Sequence, residues 1–189
     1  MNNDAEKVIR ARYFMTAAHC AVGQKRKYTN EPYEVHPIEV MQILNNLGGF
    51  SVEALQAALL HDTVEDTQIE HDDIVAMFGE TVAKLVQDLT DVSKPEDGSR
   101  KERKRIDREH SAAAHPDAQS IKLADLISNT RTIVKYDKSF AKVYLEEKAL
   151  LIDVLTKADP RLIAMAKTSL IDARNALTDS AQQKSLKPI

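Results

Sequence analysis

An all-α single domain is the fold class this sequence predicts, on three observations. Only five Gly and six Pro interrupt 189 residues, too few for a turn-rich β architecture. Apolar residues recur at helical spacing along the chain, and no stretch alternates convincingly as a strand. The apolar content of 43% suffices for one sizeable core, although aromatics are few and Trp is absent.

The first helix is expected from Asp4 to about Val22, where Val8, Phe14, Met15 and Ala18 fall near one stripe with charges opposite. A polar, basic loop, GQKRKYTNEPYEV, follows. HPIEVMQILNNLGG then opens with Pro37, suited to a first helical turn, and closes on Gly48 and Gly49. Ser51 is the expected N-cap of VEALQAALLHDTVED, read as one helix through Asp66. Short helices are expected over DDIVAMFG and ETVAKLVQDLT, broken at Gly79, and SKPEDGS reads as a loop. A charged helix, RKERKRIDREHSAAA, precedes Pro116, which starts DAQSIKLADLISNTRTIVKY. Two amphipathic helices close the domain, SFAKVYLEEKALLIDVLTKA and PRLIAMAKTSLIDARNAL, with Asp159-Pro160 as cap and first turn. The domain is placed at 1–178, with a frayed tail at 179–189.

Charge and composition narrow the function. A net charge of -3 argues against nucleic acid or an anionic membrane as the main partner. The single cysteine, Cys20, excludes a disulfide frame and a thiolate zinc cluster, and reads as a small apolar core residue. The N-terminus lacks a secretory pattern, and no apolar run approaches the ~20 residues of a membrane span. A cytoplasmic protein is expected.

Chemistry concentrates in LLHDTVED. On a continuous helix His61, Asp62, Glu65 and Asp66 share an arc of about 140°. Ala54, Ala57 and Ala58 precede them on that side, so the polar arc faces inward against closely packed neighbours. Unpaired buried charges are costly, and a divalent cation satisfies them economically. His and carboxylate donors suit Mn, Fe, Zn or Co. One helix cannot complete such a site; the best further donors are His36, at the start of its helix, and Asp125 in KLAD. Ser128, Asn129 and Thr132 share the face of Asp125. This gives a first shell of His36, His61, Asp62 and Asp125, with Glu65 and Asp66 left for chemistry beside the metal. A lone HD pair is common by chance; here a buried lead-in and a second acidic pair accompany it. His19, His71, His110 and His115 show no such pattern and are read as ordinary.

With these residues in place, the chain resembles a known family. His36, His61-Asp62 and Asp125 reproduce the H…HD…D signature of HD-domain metal-dependent phosphohydrolases. GQKRK…EPYEVHP, ALQAALLHDTVEDT, FGETVAKLVQDLTDV, ERKR and KLADLISNTRTI resemble, in order, the hydrolase domain of RelA/SpoT proteins and its small free-standing form. The resemblance runs from about Ala17 to Thr132. It implies a helical bundle with its active site in a cleft, and Mn(II)-dependent hydrolysis of the 3′-pyrophosphate of guanosine tetra- or pentaphosphate to GDP or GTP and pyrophosphate. It carries the metal ligands onto His36, His61, Asp62 and Asp125, and the catalytic acidic pair onto Glu65 and Asp66. Nucleotide contacts carry over to Arg26, Lys27, Asn129 and Thr132.

The residue types agree with that chemistry. Lys25, Arg26 and Lys27 offer cations to an anionic substrate, where a bare surface turn is the bland reading. In SRKERKRIDRE the mixed signs suggest an exposed face with i,i+4 pairs; the functional alternative sets Arg103 or Lys104 over the cleft against phosphates. Interleaved Glu102, Asp107 and Glu109 weaken a nucleic-acid reading. Leu126 and Ser128 depart from the basic and aromatic or His residues common after KLAD, at positions expected near base and sugar. Guanine and adenine both stay open. The chain leaves no room for a synthetase domain, so hydrolysis alone is expected. Competing readings are an HD phosphohydrolase for an adenosine alarmone, a nucleoside phosphate or the NADPH 2′-phosphate, and an idle nucleotide-binding module. The closing helices leave a homodimer open.

Overall fold

The computed structural model describes residues 3–185, with side chains through 179. The described residues form ten α-helices: α1 Asn3–Ala21, α2 Val35–Leu47, α3 Val52–Leu60, α4 Thr63–Asp66, α5 His71–Phe78, α6 Glu80–Leu89, α7 Arg100–Ala113, α8 Pro116–Tyr136, α9 Lys138–Val154 and α10 Pro160–Ser185. Among them there is no strand, only an isolated bridge between Lys25 and Pro32 in the basic loop. None of these helices is long and apolar enough to cross a membrane.

Helix boundaries follow local chemistry. Ser51 caps α3 by accepting from the Ala54 amide at 3.1 Å, satisfying one of the donors a helix start leaves open. Pro37 and Pro116 lie in the first turns of α2 and α8, where a missing amide proton costs nothing. Gly48, at φ +68°, ends α2 in the left-handed region that a side chain disfavours.

Helix α3 is the centre of the bundle. Ala54, Ala57, Ala58, Leu59 and Leu60 are fully buried, and α3 packs against α1, α2, α6 and α8. The alanines add little bulk, so four neighbours approach one short helix closely. That packing sets the start of α2, the end of α3 and the middle of α8 side by side. The donors expected to share an ion sit at those points.

The structure corrects the sequence reading in several places. LLHDTVED is not one helix: α3 stops at Leu60, and α4 begins at Thr63. The Ala58 carbonyl accepts from the His61 ring at 2.9 Å, and Asp62 sits at φ −96°, ψ −3°, so side-chain chemistry interrupts the backbone ladder. A 3₁₀ turn, Pro95–Asp97, occupies part of the expected loop. Helix α10 continues through 179–185, where a frayed tail was expected; 186–189 lie outside the described residues. Cys20 is exposed rather than in the core. Its neighbour His19 is 1% exposed instead, because the buried stripe of α1 runs through Ala11, Met15, Ala18 and His19.

If the small residues of α3 set its central place, Ala57→Leu forces neighbouring helices apart and costs about 1–3 kcal/mol. Urea denaturation measures this; unchanged stability contradicts the packing argument.

Candidate metal centre and cleft

Two imidazoles and two aspartates converge where α2, the α3–α4 junction and α8 meet. His36 Nε2 lies 3.1 Å from Asp125 Oδ1 and 3.7 Å from Asp62 Oδ2. His61 Nε2 lies 2.9 Å from Asp62 Oδ2 and 4.0 Å from Asp125 Oδ1. One ligand atom each from His36, His61 and Asp62 falls within 4.8 Å of the others. Both imidazoles are nearly fully buried.

The opposite edge of each ring fixes its tautomer. His61 Nδ1 faces the Ala58 carbonyl at 2.9 Å; a carbonyl only accepts, so Nδ1 carries a proton. His36 Nδ1 lies 3.0 Å from Ser128 Oγ, and the Ser128 hydroxyl donates to Glu39 Oε2 at 2.8 Å. With its own proton spent on Glu39, Ser128 accepts from His36. Arg131 Nη1 anchors the far end of this chain on Glu39 Oε1 at 2.8 Å. In the neutral rings both Nε2 lone pairs therefore point at carboxylate oxygens. His61 Nε2 is buried without a hydrogen-bond partner. Such a donor set, acceptors facing acceptors, fits a divalent cation.

The aspartates are held as firmly. Tyr33 donates to Asp62 Oδ2 at 2.5 Å, and Asn129 donates to Asp125 Oδ1 at 2.6 Å. Burial and the charge of Asp62 push Tyr33 far above the ordinary phenol range, so it stays a donor. Burial opposes ionisation of Asp125, but the His36 and His61 imidazoles outweigh it and hold the carboxyl well below its usual range. When no cation is bound, burial lowers the pKa of His61 while Asp62 and Asp125 raise it, with a net rise to about 9.

Glu65 and Asp66 stand on α4, open to solvent. Glu65 Oε2 accepts from the Asp91 amide at 3.4 Å, and Asp66 Oδ2 accepts from Gln24 Nε2 at 2.9 Å. Although Glu65 reaches solvent, the surrounding protein and the charge of Asp91 raise its carboxyl above its ordinary value.

Beyond them lies a cleft in two parts. One cavity of about 320 Å³ is lined by Lys25, Arg26, Lys27, Tyr33, Asn129 and Thr132. The other, about 220 Å³, is lined by Asp91, Lys104, Lys122 and Lys148 among others, and Ile133, Phe140 and Tyr144 border both. Arg26 Nη2 donates to Asn129 Oδ1 at 3.0 Å and reaches Thr132 Oγ1 at 3.5 Å, while Lys27 lies over the Tyr28 and Phe140 rings. Lys104 bonds Asp91 at 2.7 Å, and Lys122 bonds the same carboxylate at 3.3 Å. Arg103 does not line this cavity. The outward face of α7 carries the expected ion pairs of Arg105 with Glu102 and Glu109. A larger open groove, about 540 Å³ between α8 and α10, lies away from the His–Asp cluster. Chemistry, not volume, locates the site.

The sequence thus names every member of the His–Asp cluster, but misplaces Leu126 and Ser128. Leu126 is fully buried in the core, and Ser128 backs His36 instead of facing a base or sugar. It also passes over Tyr33, Gln24 and Glu39. Tyr33 and Gln24 stand inside the quoted loop motif, and Glu39 lies one turn beyond His36, so spacing from the histidine would have flagged the last.

Comparison with known proteins agrees with this reading. A family model described as an HD domain matches residues 11–152. The guanosine-3′,5′-bis(diphosphate) 3′-pyrophosphohydrolase MESH1 of Xenopus tropicalis is 38% identical over 135 residues, 70% of this chain and 73% of that one. The Aquifex aeolicus protein named as the same 3′-pyrophosphohydrolase is 36% identical over 129 residues, 68% of this chain and 18% of its own length. A solved structure described as a metazoan ortholog of SpoT that hydrolyzes ppGpp superposes with a TM-score of 0.77 at 28% identity, covering 88% of this chain and 94% of that one. The fold and the His–Asp centre define a helical metal-dependent hydrolase class, and the chain belongs to the HD domain family.

Two outcomes follow from the geometry. Ser128→Ala strips His36 of its backing and weakens Mn(II) binding roughly 10–100-fold by calorimetry; equal affinity contradicts the tautomer assignment. At neutral pH the ion must displace the His61 proton, so binding releases roughly one proton and tightens as pH rises towards 9. Titrations in buffers of different ionisation enthalpy count that proton.

Proposed function

We propose that this protein hydrolyses the 3′-pyrophosphate of guanosine tetra- or pentaphosphate, releasing pyrophosphate and GDP or GTP, with Mn(II) as the bound ion. The observation that carries the reading is the convergence of His36, His61, Asp62 and Asp125, with Tyr33 and Asn129, which bond the two aspartates, lining a neighbouring cavity that also holds Lys25, Arg26 and Lys27. The names of its relatives support the same substrate class.

A divalent ion held by those four residues supplies Lewis-acid polarisation of a phosphoryl oxygen and a more acidic water. Water attacks the phosphorus bonded to the 3′ oxygen. That phosphorus–oxygen bond breaks, pyrophosphate leaves, and the 3′ oxygen takes up a proton. Glu65, with its carboxyl raised, accepts the proton lost by the water, and Asp66 orients the water beside it. Lys25, Arg26 and Lys27 bring positive charge to the first cavity, with Asn129 and Thr132 beside Arg26 as nucleoside contacts. Lys104 and Lys122 supply cations to the second cavity, suited to the substrate's remaining phosphates. The partner in this reading is a small nucleotide in the cytoplasm. Acidic residues interleaved along α7 oppose a nucleic-acid footprint.

The test is incubation with Mn(II) and a panel of guanosine and adenosine 3′-pyrophosphates, with the released product identified. Turnover of the guanosine compounds to pyrophosphate supports the proposal; turnover of adenosine compounds alone moves it to an adenosine alarmone, and none of either removes it. His61→Ala loses ion and activity together. Glu65→Gln keeps the ion while turnover falls roughly 10²–10⁴-fold; wild-type turnover contradicts its role.

A further inference from the structure

We infer that His19, acting through Gln24, is a positioning residue for the Asp66 carboxylate, and that the same buried imidazole steadies Tyr33 against Asp62. The inference rests on Asp66 having the part given to it above.

The end of α1 builds the arrangement. Gly23, at φ +65°, turns the chain so that its amide bonds the Cys20 carbonyl at 3.0 Å and the Gln24 amide bonds the His19 carbonyl at 3.1 Å. This paired helix ending brings residue 24 back alongside residue 19. A Cβ at Gly23 would meet nothing within 4 Å, so the backbone angle is what calls for glycine there. The two side chains then meet: His19 Nδ1 lies 2.6 Å from Gln24 Oε1, while Gln24 Nε2 donates to Asp66 Oδ2 at 2.9 Å.

This geometry fixes every proton. An ionised Asp66 only accepts, so the Gln24 amide must turn its nitrogen to Asp66 and its oxygen to His19. His19 must then carry its proton on Nδ1, because the other neutral tautomer sets two acceptors 2.6 Å apart. It would also leave a buried N–H unanswered, since His19 Nε2 is enclosed without a hydrogen-bond partner. Gln24 thereby links a buried ring on α1 to the Asp66 carboxylate on α4 with a fixed donor order. The face of that ring lies 4.6 Å, centroid to centroid, from Tyr33, whose hydroxyl bonds Asp62. One imidazole thus acts by its edge on Asp66 and by its face on a group holding a metal-site aspartate. The metal centre already has its own tautomer-setting contacts at His36 and His61, so this is a separate device serving the acidic pair.

Edge and face separate by substitution. His19→Phe keeps a ring against Tyr33 but has no Nδ1 donor; His19→Asn keeps a donor near Nδ1 but has no ring. In the full-length protein with Mn(II) and guanosine tetraphosphate, His19→Phe and Gln24→Leu are expected to lower kcat about 10–100-fold. KM and Mn(II) affinity should stay within about 3-fold, the split that marks an effect on the reacting step. His19→Asn should recover most of the lost kcat while weakening Mn(II) binding. Wild-type kcat in His19→Phe overturns the inference, as does a loss of Mn(II) affinity that accounts for the whole loss of rate. The imidazole ¹⁵N spectrum of the unmodified protein supplies a readout free of turnover. A neutral His19 protonated on Nδ1 supports the coupling, and one protonated on Nε2 overturns it. If the unmodified protein hydrolyses no 3′-pyrophosphate, the proposed function fails on its own account and the spectrum still decides this point.

Discussion

Imidazole nitrogens and carboxylate oxygens that face one another in a buried centre, and need a cation or protons between them, are the constraint on which this structure turns. His61 Nε2 stands 2.9 Å from an Asp62 oxygen and His36 Nε2 stands 3.1 Å from an Asp125 oxygen, while the far edge of each ring already donates elsewhere. In a buried setting such a cluster is repulsive unless a cation, or protons in its stead, occupies the middle. The bundle is organised to impose that arrangement. Alanines let α3 sit among four neighbours, and α3 ends where the His61 ring takes a backbone carbonyl that a continuing helix would use.

Around the centre, the restraints come from α2, α8 and the basic loop. Ser128, Glu39 and Arg131 hold His36 from α8 and α2. Tyr33 holds Asp62 from the basic loop, and Asn129 holds Asp125 while itself accepting from Arg26. Arg26 is therefore joined to Asp125 by two hydrogen bonds in series, through Asn129. The second cavity works differently, since Lys104 and Lys122 share Asp91 and remain charged at its rim. A highly anionic nucleotide can compete with Asp91 for both.

Much of this was legible before any coordinates. Helical periodicity, proline starts and glycine ends located the helices to within a few residues, because these signals are local. The cluster was readable because the HD pair ends an apolar lead-in and is followed by a second acidic pair, Glu65 and Asp66. What escaped were features decided by side chains reaching across elements. The break between Leu60 and Thr63 comes from the His61 ring bonding backwards, which helical spacing cannot register. Ser128 lies on the expected face of α8, yet whether that face meets a ligand or another helix is set by how α2 packs on it. His19 and Cys20 are adjacent, and a quarter-turn of α1 buries the imidazole and exposes the thiol, the reverse of their hydropathy.

Anomalous diffraction from crystals grown with excess Mn(II) tests the account most directly. It predicts one strong peak within ordinary bonding distance of His36 Nε2, His61 Nε2 and an oxygen from each of Asp62 and Asp125, with both Nδ1 contacts unchanged. A cluster without density under those conditions, or an ion bound elsewhere while these four side chains pair among themselves, would contradict it.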